Sequence, residues 1–107
     1  MLNYLRKKAT TTICLNLSYS GTMKPIIVDV REPDEYAESH ASGALNIPLG
    51  HFASGIPEVL EYLAKDQPIV VYCNSGNRAG KAAESLGRYG FIAVANGINQ
   101  VAIESRP

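Results

Sequence analysis

"VVYCNSGNRAGKAAESLG", residues 70–87, places a cysteine where a run of strand formers stops and a helical pattern begins. The run "PIVVYC" (68–73) is short, apolar and β-branched, the pattern of a strand covered on both faces. After the loop, "NRAGKAAESLGRYG" (77–90) sets Ala79, Ala82, Ala83 and Leu86 on one helical face and closes at Gly90, a good C-terminal stop. Strand, glycine-containing loop and helix in direct succession are the half-unit of a parallel α/β sheet.

The flanking sequence repeats that alternation. "PIIVDV" (25–30) reads as a second buried parallel-type strand, and "EPDEYAESH" (32–40) as a short helix with Pro33 and acids in its first turn. "GALNIPLG" (43–50) reads as a brief strand closed by Pro48. "FASGIPEVLEYLAKD" (52–66) spaces Ile56, Leu60 and Leu63 at i, i+4, i+7 and predicts a helix over that range. "FIAVAN" (91–96) predicts a third strong strand and "INQVAIES" (98–105) a closing helix. The expected fold class is α/β, a parallel sheet covered by helices on both faces.

A chain of 107 residues suffices for one hydrophobic core. Lys plus Arg equals Asp plus Glu at 10 each and the basic residues are scattered, which argues against a nucleic-acid partner. With 46% hydrophobic and 19% charged residues the composition is that of a folded globular chain, and no apolar run approaches the roughly 20 residues of a membrane span. No membrane partner is expected. The two cysteines, Cys14 and Cys73, lack the number of a disulfide framework and the spacing of a zinc site, so no metal is expected.

Residues 1–22 stand apart from the alternating pattern. They form an N-terminal extension or, through "TTTICLNLS", an edge strand, and the main domain is expected over 23–107. Their basic start makes a weak secretory signal because the centre never becomes continuously apolar. The expected compartment is therefore cytoplasmic, or periplasmic if residues 1–22 do act as a signal.

Parallel sheets carry their sites at the carboxyl ends of the strands, and Cys73 occupies such an end. The loop Asn74, Ser75, Gly76, Asn77, Arg78 turns its N–H groups inward and feeds a helix N-terminus, a cradle for an anion beside the sulfur. The same field stabilises a thiolate. Cys73 is thus read as a nucleophile, Asn74 through Arg78 as substrate-binding residues, and Lys81 as a weaker second cation. Asp29 and Arg31, at a strand end, are read as fixing loops by hydrogen bonds. Cys14 is read as a passive thiol, with resolution of a Cys73 adduct as the alternative.

These residues resemble a known family. "IIVDVREPDEYAESHASGALNIPL" is similar to the rhodanese-homology signature, and "YCNSGNRA" resembles its Cys-x-x-Gly-x-Arg active loop, in the same order and at the usual separation. The compact size resembles the single-domain, phage-shock type. The resemblance implies a single rhodanese-like domain with a sheet of about five parallel strands. It also implies thiosulfate sulfurtransferase activity through a persulfide on Cys73, with no cofactor. The implied partners are a small anionic sulfur donor and a thiol or cyanide acceptor. His40 matches the motif histidine and is assigned a structural role, while His51 has no visible partner. The chain departs from the pattern after "VANG", where "INQVA" replaces the family's second glycine and no tryptophan follows. Two other classes stay open: a Cys/Arg phosphatase or arsenate reductase on the same scaffold, whose Cys-x5-Arg loop is one residue longer, and a non-catalytic rhodanese-like binding module.

Overall fold

The computed structural model describes residues 24–105. Its element order is β1 (Ile26–Asp29), α1 (Pro33–Glu38), β2 (Leu45–Asn46), a 3-10 turn (Leu49–Phe52), α2 (Glu58–Glu61), β3 (Ile69–Tyr72), α3 (Asn77–Arg88), β4 (Val94–Ile98) and α4 (Gln100–Glu104). The four strands are all parallel and lie in the order β2-β1-β3-β4. Among the described residues the sheet has four strands, one fewer than the five expected. The edge strand proposed within residues 1–22, and Cys14 with it, lie outside the described residues.

The two central strands are those with continuous apolar runs, and their alternating side chains build two cores. Val28, Ile69 and Val71 face one side, where α3 lays down Ala79, Ala82 and Leu86 and α2 adds Leu60. The small alanines let α3 approach the sheet closely, which brings its first turn to the end of β3. Val70 and Tyr72 face the other side against Ala41, Ala44 and Ile103 of α4, with Tyr36 of α1 packed alongside. Helices therefore cover both faces, as the alternation of strand and helix predicts.

Two element boundaries differ from the sequence reading. The helix expected over 52–66 is a 3-10 turn and a single turn of α2, because Gly55 sits at φ +135°, outside helical space, and Pro57 supplies the N-cap of α2. Its apolar face persists all the same: Leu60 is buried, and Ile56 and Leu63 pack against the same core. The strand expected at 91–96 begins later and runs to Ile98. Phe91 turns into the core, and the N–H of Ile92 donates to the Lys65 carbonyl at 3.0 Å, so residues 91–93 form the connection into the strand. Gly90, at φ +99°, ends α3 in the left-handed conformation its position requires.

Asp29 and Arg31 do fix loops. The Asp29 carboxylate accepts from Arg31 Nε at 2.9 Å and Nη2 at 2.6 Å, and from the Tyr72 hydroxyl at 3.0 Å. Arg31 Nη2 also donates to the Ser39 carbonyl, and the Ala41 N–H donates to the Tyr72 oxygen at 2.9 Å. One buried cluster thus joins β1, β3 and the segment after α1. A charged pair this well buried is tolerated because its hydrogen-bonding capacity is so fully used. No helix among the described residues is long and apolar enough to cross a membrane.

Candidate active site

β3 delivers Cys73 to the carboxyl edge of the sheet, where its N–H donates to the Ile98 carbonyl at 3.0 Å and the residue is 1% exposed. The chain must then reverse to start α3. Gly76 allows this by adopting φ +92°, a conformation that strains any residue with a Cβ. The turn aims successive N–H groups at the sulfur: Gly76 N–H donates to Sγ at 3.1 Å and Ala79 N–H at 3.5 Å. Gly76 is held in place by Asn96, whose Nδ2 donates to its carbonyl at 2.9 Å.

Burial is the largest influence on the Cys73 thiol and pushes its pKa up. The N–H groups of Ala79, Ser75, Gly76 and Arg78 act the other way and together prevail, so the thiol ionises below its ordinary value. The positive end of the twelve-residue α3 points at the same atom.

The remaining loop residues divide into two groups. Ser75 and Gly76 contribute backbone to the sulfur, and Asn77 opens α3. Asn74 and Arg78 instead turn their side chains to a partner that the sequence reading missed. Arg78 donates from Nη1 to Glu35 Oε1 at 2.9 Å and from Nη2 to Oε2 at 3.2 Å, and Asn74 Nδ2 donates to Oε2 at 3.0 Å. The Glu32 N–H adds a contact to Oε1 at 2.8 Å. Arg78 chiefly, then the Glu32 N–H, pull the Glu35 pKa down to about 2. A signal for Glu35 did exist: it lies in the first turn after β1, the neighbour of β3, and a loop with one arginine at that sheet edge calls for an acid across from it.

The other singled-out residues lie elsewhere. His40 stacks on Tyr36 with ring centroids 3.7 Å apart, and its Nδ1 donates to the Tyr36 carbonyl at 2.8 Å. His51 lines a shallow groove of about 550 Å³ together with Asn46, Ile56 and Glu58. Lys81 is exposed on α3 beside Phe52 and Arg88, with no hydrogen bond to the Cys73 loop among the described residues. No three His, Cys, Asp or Glu side chains of the described residues are grouped as metal ligands.

A chain with this sheet and loop has known counterparts. It is 35% identical over 82 residues to thiosulfate sulfurtransferase PspE of Escherichia coli, a match covering 71% of this chain and 73% of that protein. It is 39% identical over 75 residues to the chloroplastic thiosulfate sulfurtransferase 16 of Arabidopsis thaliana, covering 63% of this chain and 62% of that one. Among solved structures, a rhodanese with anions from E. coli superposes with a TM-score of 0.61 at 33% identity, over 78% of this chain and 95% of the other. The rhodanese-like domain profile matches residues 14–103, nearly the whole chain, and the protein belongs to the rhodanese family.

Proposed function

We propose that the protein is a thiosulfate sulfurtransferase in which Cys73 carries the transferred sulfur as a persulfide. The observation that carries this reading is the sulfur's setting: a buried thiol held by the Gly76 and Ala79 N–H groups, with its pKa lowered, at the start of a helix. A nucleophile needs the thiolate, and a persulfide needs a cradle that stabilises negative charge one atom further out. Inward-pointing N–H groups serve both and do not reorganise between the two states. Two relatives are named as thiosulfate sulfurtransferases, and the solved E. coli rhodanese is described with anions, which supports an anion-accepting loop here.

The reaction is a double displacement. The Cys73 thiolate attacks the outer sulfur of thiosulfate; the S–S bond to the sulfonyl sulfur breaks, and sulfite leaves with its electron pair, giving Cys73–S–S⁻. A thiolate or cyanide then attacks the terminal sulfur, taking it as a persulfide or thiocyanate and returning the Cys73 thiolate. Asn74 to Arg78 frame the donor, backbone from Ser75 and Gly76 holding charge near the sulfur. The six-residue loop from Cys73 to Arg78 makes a small cup, which suits a single transferred sulfur atom better than a tetrahedral phosphate seated over the thiolate.

Intact-mass analysis after mixing with thiosulfate tests the proposal. The protein should gain one sulfur atom and release sulfite, then lose that sulfur to cyanide, and Cys73→Ser should do neither. Hydrolysis of aryl phosphates that depends on Cys73, with no sulfur gained, would replace this reading with the phosphatase one.

A further inference from the structure

We infer that Glu35 tunes the charge preference for the sulfur donor, shifting it from dianionic toward monoanionic donors relative to an unpaired Arg78, by holding Arg78 as a neutral pair at the rim of the Cys73 loop. This rests on the sulfur-transfer reading and deepens it by naming the donor class. Arg78 is the loop's one cation, and a free guanidinium there would attract any oxyanion in proportion to its charge. It is not free: both terminal nitrogens donate to Glu35, at 2.9 and 3.2 Å. Glu35 is equally engaged, with Asn74 Nδ2 and the Glu32 N–H completing two donors on each oxygen. A carboxylate with four donors stays ionised and has little reason to swing aside.

The charge count at the rim follows. Arg78 and Glu35 cancel, and among the described residues the Cys73 thiolate leaves the loop with one net negative charge, faced by N–H dipoles. A donor with two negative charges meets twice the repulsion that a donor with one does. The side chains of Arg78 and Glu35 are 33% and 29% exposed, so water weakens this discrimination without erasing it.

Two donors that differ by one charge isolate the effect. Thiosulfate is a dianion; methanethiosulfonate replaces one anionic oxygen by a methyl group and is a monoanion with the same bond to break. In both, the Cys73 thiolate takes the outer sulfur, and sulfite or methanesulfinate leaves with the bonding pair. The readout is the ratio of kcat/KM for methanethiosulfonate to that for thiosulfate. Glu35→Gln, which keeps the size and removes the charge, should lower this ratio about threefold to tenfold, the size of one unit-charge interaction across a half-solvated site. The shift should fall mainly in the KM for thiosulfate. Glu35→Asp, which keeps the charge, should hold the ratio near that of the wild type. Arg78→Gln leaves Glu35 uncompensated and should move the ratio the opposite way; it carries the test alone if Glu35→Gln does not fold.

An unchanged ratio in both Glu35→Gln and Arg78→Gln would overturn the inference, as would equal shifts in Glu35→Gln and Glu35→Asp, which would mark a purely structural role. Failure of the underlying reading looks different: the wild type would gain sulfur from neither donor.

Discussion

Cys73 shows how a single atom acquires its chemistry from backbone alone. Burial works against its ionisation, and the N–H groups of four following residues more than reverse that. The expected outcome is a thiolate that forms at lower pH than an unperturbed cysteine's. Ultraviolet thiolate absorbance of the wild type minus that of Cys73→Ser, followed against pH, measures it with Cys14 common to both proteins. A difference curve centred at or above the ordinary value would mean that the N–H groups do not prevail. Cys73 was legible in the sequence because strand, glycine and helix lie contiguous around it. Glu35 was harder to read, since it is 43 residues from Arg78 and only the pairing of β1 with β3 brings the two to one sheet edge.

At the scale of elements, β4 carries a local conflict with a measurable cost. Ile98 sits at φ +76°, the one non-glycine residue among those described with positive φ, where β4 slips register against β3 between Val71 and Tyr72. A β-branched residue in left-handed backbone costs roughly 1–2 kcal/mol. Ile98→Gly should therefore stabilise the fold by about 0.5–1 kcal/mol after the entropy of the added glycine is deducted. Gly97→Ala should do the reverse. A Cβ there would lie 2.4 Å from Ile103 Cδ1 and 2.8 Å from Val70 Cγ1, and such overpacking costs about 1–3 kcal/mol. Urea unfolding of the two variants beside wild type checks both signs. Elements with continuous apolar runs, β1 and β3, were readable from sequence to within a residue or two. The helix expected over 52–66 was not, because apolar spacing reports which side chains face the core, and the same three residues reach it from a broken backbone as from a continuous helix.

Across the whole molecule, the Glu35 contacts tie α1 to the start of α3 and link folding to pH. With its folded pKa near 2 against an ordinary 4.5, Glu35 binds fewer protons in the folded state at intermediate acidity. The stability it contributes is fully present above about pH 4.5 and is lost as pH falls through about 2. Urea midpoints across that interval should fall more steeply for the wild type than for Glu35→Gln; parallel curves would show that the contact does not contribute to acid stability. The sheet order β2-β1-β3-β4 has a further consequence, in time rather than in space. β1 has no central neighbour until β3 is made, and the N–H of Cys73 has no acceptor until Ile98 is in place. Until β4 forms, the loop also lacks the Asn96 contact that holds the Gly76 carbonyl, so the turn that aims N–H groups at the Cys73 sulfur is braced only when the fourth strand is in place.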